Sequence, residues 1–369
     1  MPPRSETLLN HQPACFALRR PLLAQALTLV LSLAAACTSG FALAASPAHG
    51  VKLGGKAAAI TCPVKPQMPT EAELKVLAAQ AQDRGMLWRV TDSKANGARA
   101  SWLYGTIHVG KREWMVPGRS ILRAVQGADQ LALELNLLDP SVGQELLQGL
   151  KAQASAPPLA TDLKQRLAKQ LKLACAEDLA AMRPEAQVLG LLAKTGSRQG
   201  LNAEYGVDIT LAGMAHALGK PITGLESVQA QLKELVSDDP VEIAETVSDG
   251  LKQLEGGMAP EMMQLLAQVW ASGNARKLEN YADWCDCANT ERERAQLKRL
   301  IDDRNPGMAD GIAALLDQGK TVFAAVGALH MVGPVGLPEL LRKKGYRVER
   351  VDFMPSSDHR KLIKSMEAK

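Results

Sequence analysis

Two apolar runs in this chain end in the same short motif. Residues 99–106 (RASWLYGT) lead into Gly105-Thr106-Ile107-His108, and residues 320–327 (KTVFAAVG) lead into Gly327-Ala328-Leu329-His330. Each run has the length and the β-branched or aromatic content of a buried strand. Each motif meets a further glycine within three residues, Gly110 and Gly333. A third apolar run lies at 130–135. Residues 86–91 and 99–106 predict a hairpin around Asn96-Gly97, a dipeptide suited to a tight two-residue turn. The segment 220–226 (KPITGLE) reads as a short interior strand. Residues 322–327 and 347–353 read as strands that close the sheet, and a helix at 336–344 between them makes a compact βαβ crossover.

Between residues 141 and 319 the pattern changes. Leu, Ala and Met recur at spacings of three and four, the period of amphipathic helices, with no longer repeat. Pro184, Pro240, Pro260 and Pro306 stand near predicted helix starts, where a missing amide hydrogen costs nothing. Thr70-x-x-Glu73, Ser141-x-x-Gln144 and Thr290-x-x-Glu293 have capping-box spacing, and the first opens a helix to about residue 82. The fold class is therefore α/β. One central sheet is built from both ends of the chain, and a large helical insertion (about 141–319) forms a cap.

The N-terminus adds a targeting layer. Arg19-Arg20 precede an apolar run of about 15 residues, short for a span that needs roughly 20. Ala42-Leu43-Ala44 then has the small-residue pattern of a cleavage site. Residues 1–44 read as a secretory signal, so the chain is expected to be exported, periplasmic or secreted, with no membrane span after processing. Lipid anchoring at Cys37 is the lesser alternative, and the arginine pair is a weak twin-arginine hint. Residues 45–69 read as a flexible leader, 70–353 as the folded domain, and 354–369 as a polar tail.

Composition narrows the class. The chain is 46% hydrophobic and 22% charged, ordinary for a globular domain, but only 4% aromatic, so its core rests on Leu, Ala and Val. Net charge is +4, and the first 44 residues hold three arginines against one glutamate, leaving about +2. That is too little for nucleic-acid binding. Four of six cysteines follow the predicted signal: Cys62, Cys175, Cys285 and Cys287. In an exported protein they favour at least one disulfide. Cys285-Asp286-Cys287 is not expected to bridge internally, because the ring would be very tight.

Candidate chemistry lies at strand ends, where α/β sheets bind ligands. His108 and His330 repeat one motif and suit metal ligation or proton transfer. His216 lies mid-helix and reads as structural. Glu134, in LALEL, is a carboxylate inside an otherwise interior strand. Burying it requires a metal, a cation or a proton, unless the strand is an edge and the side chain faces water. Glu226 and Asp208 are acids at a strand end or first helical turn, where an acid is favourable in its own right. Arg304, at a helix junction, suits binding of an anionic or carbonyl oxygen.

Taken together, LYGTIHVG at 103–110, LALELNLLDP at 131–140, EYGVD at 204–208, GKPITGLES at 219–227, DRNP at 303–306 and VGALHMVGP at 326–334 resemble the TraB/PrgY/GumN family, which includes the Tiki proteases. The resemblance covers residues 84–353 and is nearest to bacterial GumN-like secreted members. It implies a fold akin to erythromycin esterases and haem-binding ChaN proteins. It also implies a metal-dependent, peptidase-like hydrolase acting on a peptide or protein. His108, Glu134 and His330 would be its first-choice ligands for a divalent metal, with Glu226 next and Arg304 stabilising the oxyanion. The alternatives are a histidine that activates water directly, a ChaN-like haem-binding protein, and a non-enzymatic scaffold of the cell envelope.

Overall fold

The computed structural model describes residues 60–92 and 100–353. The predicted signal, the Asn96-Gly97 turn and the polar tail lie outside these residues. Six strands form one sheet: β1 (Met86–Asp92), β2 (Ser101–Thr106), β3 (Gln130–Leu133), β4 (Ile222–Gly224), β5 (Val322–Gly327) and β6 (Tyr346–Val351), in the order β4-β3-β5-β2-β1-β6. Strands β4, β3, β5 and β2 run parallel, with Leu133 opposite both Ala325 and Gly224, and Thr106 opposite Gly327. Strands β1 and β2 pair antiparallel, as the hairpin reading required. Strand β5 is buried along almost its whole length, so it is the spine of the sheet.

Two sheet expectations need correction. The 220–226 strand is the edge strand β4, not an interior one, because the sheet ends there. Strands β5 and β6 run in the same direction but are not neighbours. The helix between them carries the chain across β2 and β1 to the far edge, where β6 pairs antiparallel with β1. Antiparallel pairing with the long β1 satisfies six registered positions, Leu87 to Asp92 against Val351 to Tyr346.

Thirteen α-helices are present among the described residues. They are α1 (Glu71–Ala79), α2 (Arg119–Gly127), α3 (Pro140–Leu150), α4 (Thr161–Leu173), α5 (Pro184–Lys194), α6 (Val207–Ala217), α7 (Val228–Leu235), α8 (Pro240–Glu255), α9 (Ala259–Ala271), α10 (Ala275–Glu279), α11 (Glu291–Leu300), α12 (Asn305–Asp317) and α13 (Leu337–Lys343). The four prolines predicted at helix starts all occupy the first two positions of α5, α8, α9 and α12. Full capping boxes form at Thr70 and Thr290. Ser141 does not cap α3. Asp139 does so instead, accepting from the Ser141 amide, because Pro140 fits the first position and moves the boundary back.

The core has three parts. The main one joins the sheet to α2, α6, α9, α12 and α13. A second, wholly helical one packs Leu167, Leu191, Val247 and Leu251 between α4, α5 and α8. There Gly250 is required, since a β-carbon would stand 2.0 Å from a Val188 methyl carbon. A third, small cluster holds Leu135, Leu146 and Val228 beneath α3 and α7. The helical lobe is tied to the sheet by Trp270 of α9, whose buried indole donates to the Gly105 carbonyl at 2.8 Å. No helix among the described residues is long and apolar enough to cross a membrane.

Cys62 bonds to Cys175, with Cα atoms 5.7 Å apart across 113 residues of sequence. Residues 60–69, read as part of the leader, are thus tethered, and Gln67 exchanges backbone hydrogen bonds with the Tyr205 hydroxyl. Cys285 and Cys287 also bridge, contrary to the sequence expectation. Asp286 between them adopts a left-handed φ of 52°, and the folded-back chain holds the two Cα atoms 5.1 Å apart. In an extended strand the two Cα atoms would stand about 6.6 Å apart, near the limit for a disulfide. Peptide mapping of unreduced, oxidatively folded protein should recover both linkages; free thiols at all four positions would refute them.

Candidate functional site

The parallel strands end on one side of the sheet, and the loops leaving them build a single site. His108 lies two residues beyond β2. Its loop is clamped by reciprocal backbone hydrogen bonds of 2.9 Å between Gly110 and Asn202. The Val207 amide donates to the Ile107 carbonyl at 2.9 Å. This approach needs glycine at 206, where a β-carbon would come within 2.7 Å of the His108 carbonyl oxygen. The tight fit explains the YGVD sequence. Gly206 admits the His108 loop, and Asp208, in the first turn of α6, meets the ring with Oδ2 3.1 Å from Nδ1.

Glu134 follows β3 and is mostly buried. Its Oε1 accepts from the Gly327 amide at 2.8 Å, and its Oε2 accepts from Arg304 at 2.7 Å and Gln231 at 3.3 Å. Glu226 follows β4 in the same way, because the Leu225 and Glu226 amides extend the ladder to the Leu133 and Glu134 carbonyls. Both Glu226 oxygens bind Arg304, Oε1 at 2.9 Å from Nε, and Oε2 also accepts from Gln231. Arg304 therefore bridges the two carboxylates. It caps α12 in chain order, and its third contact is the Leu300 carbonyl at the end of α11, where a cation is favoured.

His330 sits in the 3-10 turn after β5 and is only 5% exposed. Its Nδ1 is 2.7 Å from Asn305 Oδ1, while the Asn305 amide nitrogen donates to the Val335 carbonyl. That fixes the proton on Nδ1 and leaves Nε2 with a free lone pair. His108 likewise directs its Nδ1 at an oxygen acceptor, here the Asp208 carboxylate. Gly327 stands between the histidines. A β-carbon there would lie 3.2 Å from Glu134 Oε1, 3.4 Å from His330 Cδ2 and 4.0 Å from His108 Nε2. Residues 108, 134 and 330, far apart in sequence, thus surround one point.

Electrostatics differ across the site. Asp208 chiefly raises the His108 pKa to about 9, so the ring, whose side chain is 67% exposed on the cavity, is cationic at neutral pH. Burial lowers the His330 pKa to about 4, so that ring is neutral. Burial alone would raise Glu134, but the two histidines, Arg304 and the Gly327 amide prevail and hold its pKa near 2. Burial opposes charge on Arg304 as well, yet Glu226 and Glu134 push its pKa upward.

His108, Glu134, Asp208 and Arg304 open onto a cavity of about 350 Å³. The arrangement offers a neutral imidazole, a His–Asp pair, a fixed carboxylate and a fixed cation. Among the described residues, no three His, Cys, Asp or Glu side chains stand in ligating geometry. The donor set nonetheless fits a divalent ion in chemistry. It offers two imidazole Nε2 atoms whose Nδ1 atoms are each held by an oxygen acceptor, a common preparation of metal-binding histidines. Glu226 stands apart from this trio and serves Arg304. His216 is exposed in the last turn of α6 and does not line the cavity. Sequence reasoning missed the roles of Asn305 and Gln231. Asn305 adjoins Arg304 in the DRNP block, a usable signal, whereas Gln231 carries none.

The family model described as TraB/PrgY/gumN matches residues 86–350. The chain is 26% identical over 282 residues to the protein YbaP of Shigella flexneri, covering 73% of this chain and 98% of that protein. It is 25% identical, with the same coverage, to YbaP of Escherichia coli strain K12. No solved structure matches.

Proposed function

Given that this chain belongs to the TraB/PrgY/gumN family, we propose that it is an exported, metal-dependent hydrolase of the peptidase type. The observation that carries the reading is the convergence of His108 Nε2, Glu134 Oε1 and His330 on Gly327. His108, His330 and Glu134 would hold the ion, which when bound supplies a water of lowered pKa and polarises the substrate carbonyl. Asn305 orients His330 by accepting from its Nδ1. Asp208 does the same for His108, whose Nε2 proton must leave as the ion binds. Arg304, fixed by Glu226, is placed to stabilise charge developing on a carbonyl oxygen. Gly327 keeps the centre of the site open. The two disulfides suit a compartment outside the reducing cytoplasm.

A second reading rests on the His108–Asp208 contact of 3.1 Å. That pair has the layout of a general base, able to take a proton from water without a metal once His108 has lost its own proton, as the pH approaches 9. One experiment separates the two. Protein purified without chelator is analysed for metal and assayed on a peptide library, with and without chelator, beside the His108→Ala variant. The metal reading expects about one divalent ion per chain, chelator-sensitive hydrolysis and no turnover by the variant. Full hydrolysis by metal-free protein would assign the work to the His–Asp pair. No hydrolysis in any condition would refute both.

A further inference from the structure

The cavity beside His108 has two unlike sides. Its wall is aliphatic, formed by Leu135, Leu137 and Leu138 after β3, Leu146 of α3 and Leu235 of α7. Its floor includes Thr106, the last residue of β2, which is 2% exposed. The Thr106 hydroxyl has no hydrogen-bond partner among the described residues. A buried hydroxyl without a partner is costly, and such groups are rare in native proteins. Thr106 as a residue lines the cavity, together with His108 and Glu134. Asp208 Oδ1, in the same lining, also lacks a partner.

We propose that this cavity is the specificity pocket of the site. It receives an aliphatic group of leucine size attached to the carbonyl under attack, and the Thr106 hydroxyl hydrogen-bonds a polar atom next to that group. The inference rests on reading the site as a hydrolase centre. About 350 Å³ equals the share of roughly a dozen waters, enough for a leucine-sized chain and its neighbouring carbonyl. The leucine wall offers a charged side chain no compensation for lost water. Glu234, which also lines the cavity, is already paired with Arg299 at 3.9 Å. The two possible sources of such a group are a peptide residue and a short fatty acyl chain.

Ligand-observed NMR on the intact, chelator-treated protein tests the pocket without requiring metal or turnover. The probes are N-acetyl-L-leucinamide, N-acetylglycinamide and hexanamide. N-acetyl-L-leucinamide should bind at least tenfold tighter than the glycine probe, since four added carbons exceed the one-methylene step worth about tenfold or more. Leu146→Trp, which fills the wall, should abolish that preference; Leu235→Trp at the rim serves if the first variant fails to fold. Thr106→Val should weaken both amino-acid probes by the same factor, about two- to tenfold, without lowering the melting temperature. Tighter binding of the leucine probe than of hexanamide assigns a peptide source, and the reverse assigns an acyl chain. Equal affinity for the leucine and glycine probes, or a preference that survives Leu146→Trp and Leu235→Trp alike, would overturn the pocket. A hydrolase reading that failed for lack of metal or turnover would leave the probe preference standing.

Discussion

Arg304→Met will destabilise the folded protein by roughly 3–5 kcal/mol at pH 7, the usual cost of stranding one side of a buried ion pair. Methionine keeps the apolar stem, so the loss isolates the charge. Glu134 and Glu226 have side chains only 11% and 8% exposed, and both rely on the same guanidinium. Without it their remaining shared donor is the Gln231 amide, at 3.3 Å from each. Two carboxylates in that position repel, and little of either side chain is open to solvent. The second test is a cycle. Glu226→Gln removes one of the two charges, so the double variant should be at least about 1 kcal/mol more stable than additivity predicts. Urea midpoints of the wild type, both single variants and the double variant decide it. Strict additivity would show that Arg304 does not bridge the pair.

Stability should fall as the pH drops from 6.5 toward 4, by as much as roughly 3 kcal/mol. His330 is responsible. In the unfolded chain it takes up a proton near pH 6.5, but in the folded protein burial delays protonation to about 4. Below 6.5 the unfolded state therefore binds more protons, and acid favours it. Above 6.5 this effect is absent. Glu134 adds to the loss only at lower pH, because its folded value is held near 2 against 4.5 for the free side chain. His108 has the opposite sign. Its folded value of about 9 means that its pairing with Asp208 stabilises fully below 6.5 and is lost as pH rises through 9. Denaturant midpoints at pH 7 and pH 5 in the wild type and His330→Gln check the assignment. The wild type should lose stability between these values and the variant should not; equal slopes would place the acid sensitivity elsewhere.

Much of this architecture was legible in the sequence because local chemistry and global fold agree. Proline at four helix starts, two complete capping boxes and two β-rich runs ending in Gly-x-x-His all specify structure within a few residues. Glu134 was legible too, since a carboxylate among leucines needs a partner. What failed depends on contacts that periodicity does not encode. KPITGLE reads as interior because it is apolar, yet edge or interior position is set by which strand comes next in space. The place of β6 depends on a free edge at β1, formed far away in sequence. The Cys285–Cys287 bridge required a left-handed Asp286, which few sequences announce. Gln231 reaches Glu134 and Glu226 from α7 by virtue of helix placement alone.

The position of β5 has a temporal consequence. Strand β5 lies between β2 and β3, which do not pair with each other, and it also precedes the turn that holds His330. A polypeptide made from its N-terminus can form the β1–β2 hairpin and the helices of the second core early, from short-range contacts. The two halves of the sheet remain unjoined until residues 322–327 emerge. Arg304 and His330 arrive only near that moment, so a nascent or truncated chain has neither the central strand nor the full set of residues at the candidate site. Chain order thereby leaves both the sheet and the site incomplete until the polypeptide is nearly whole.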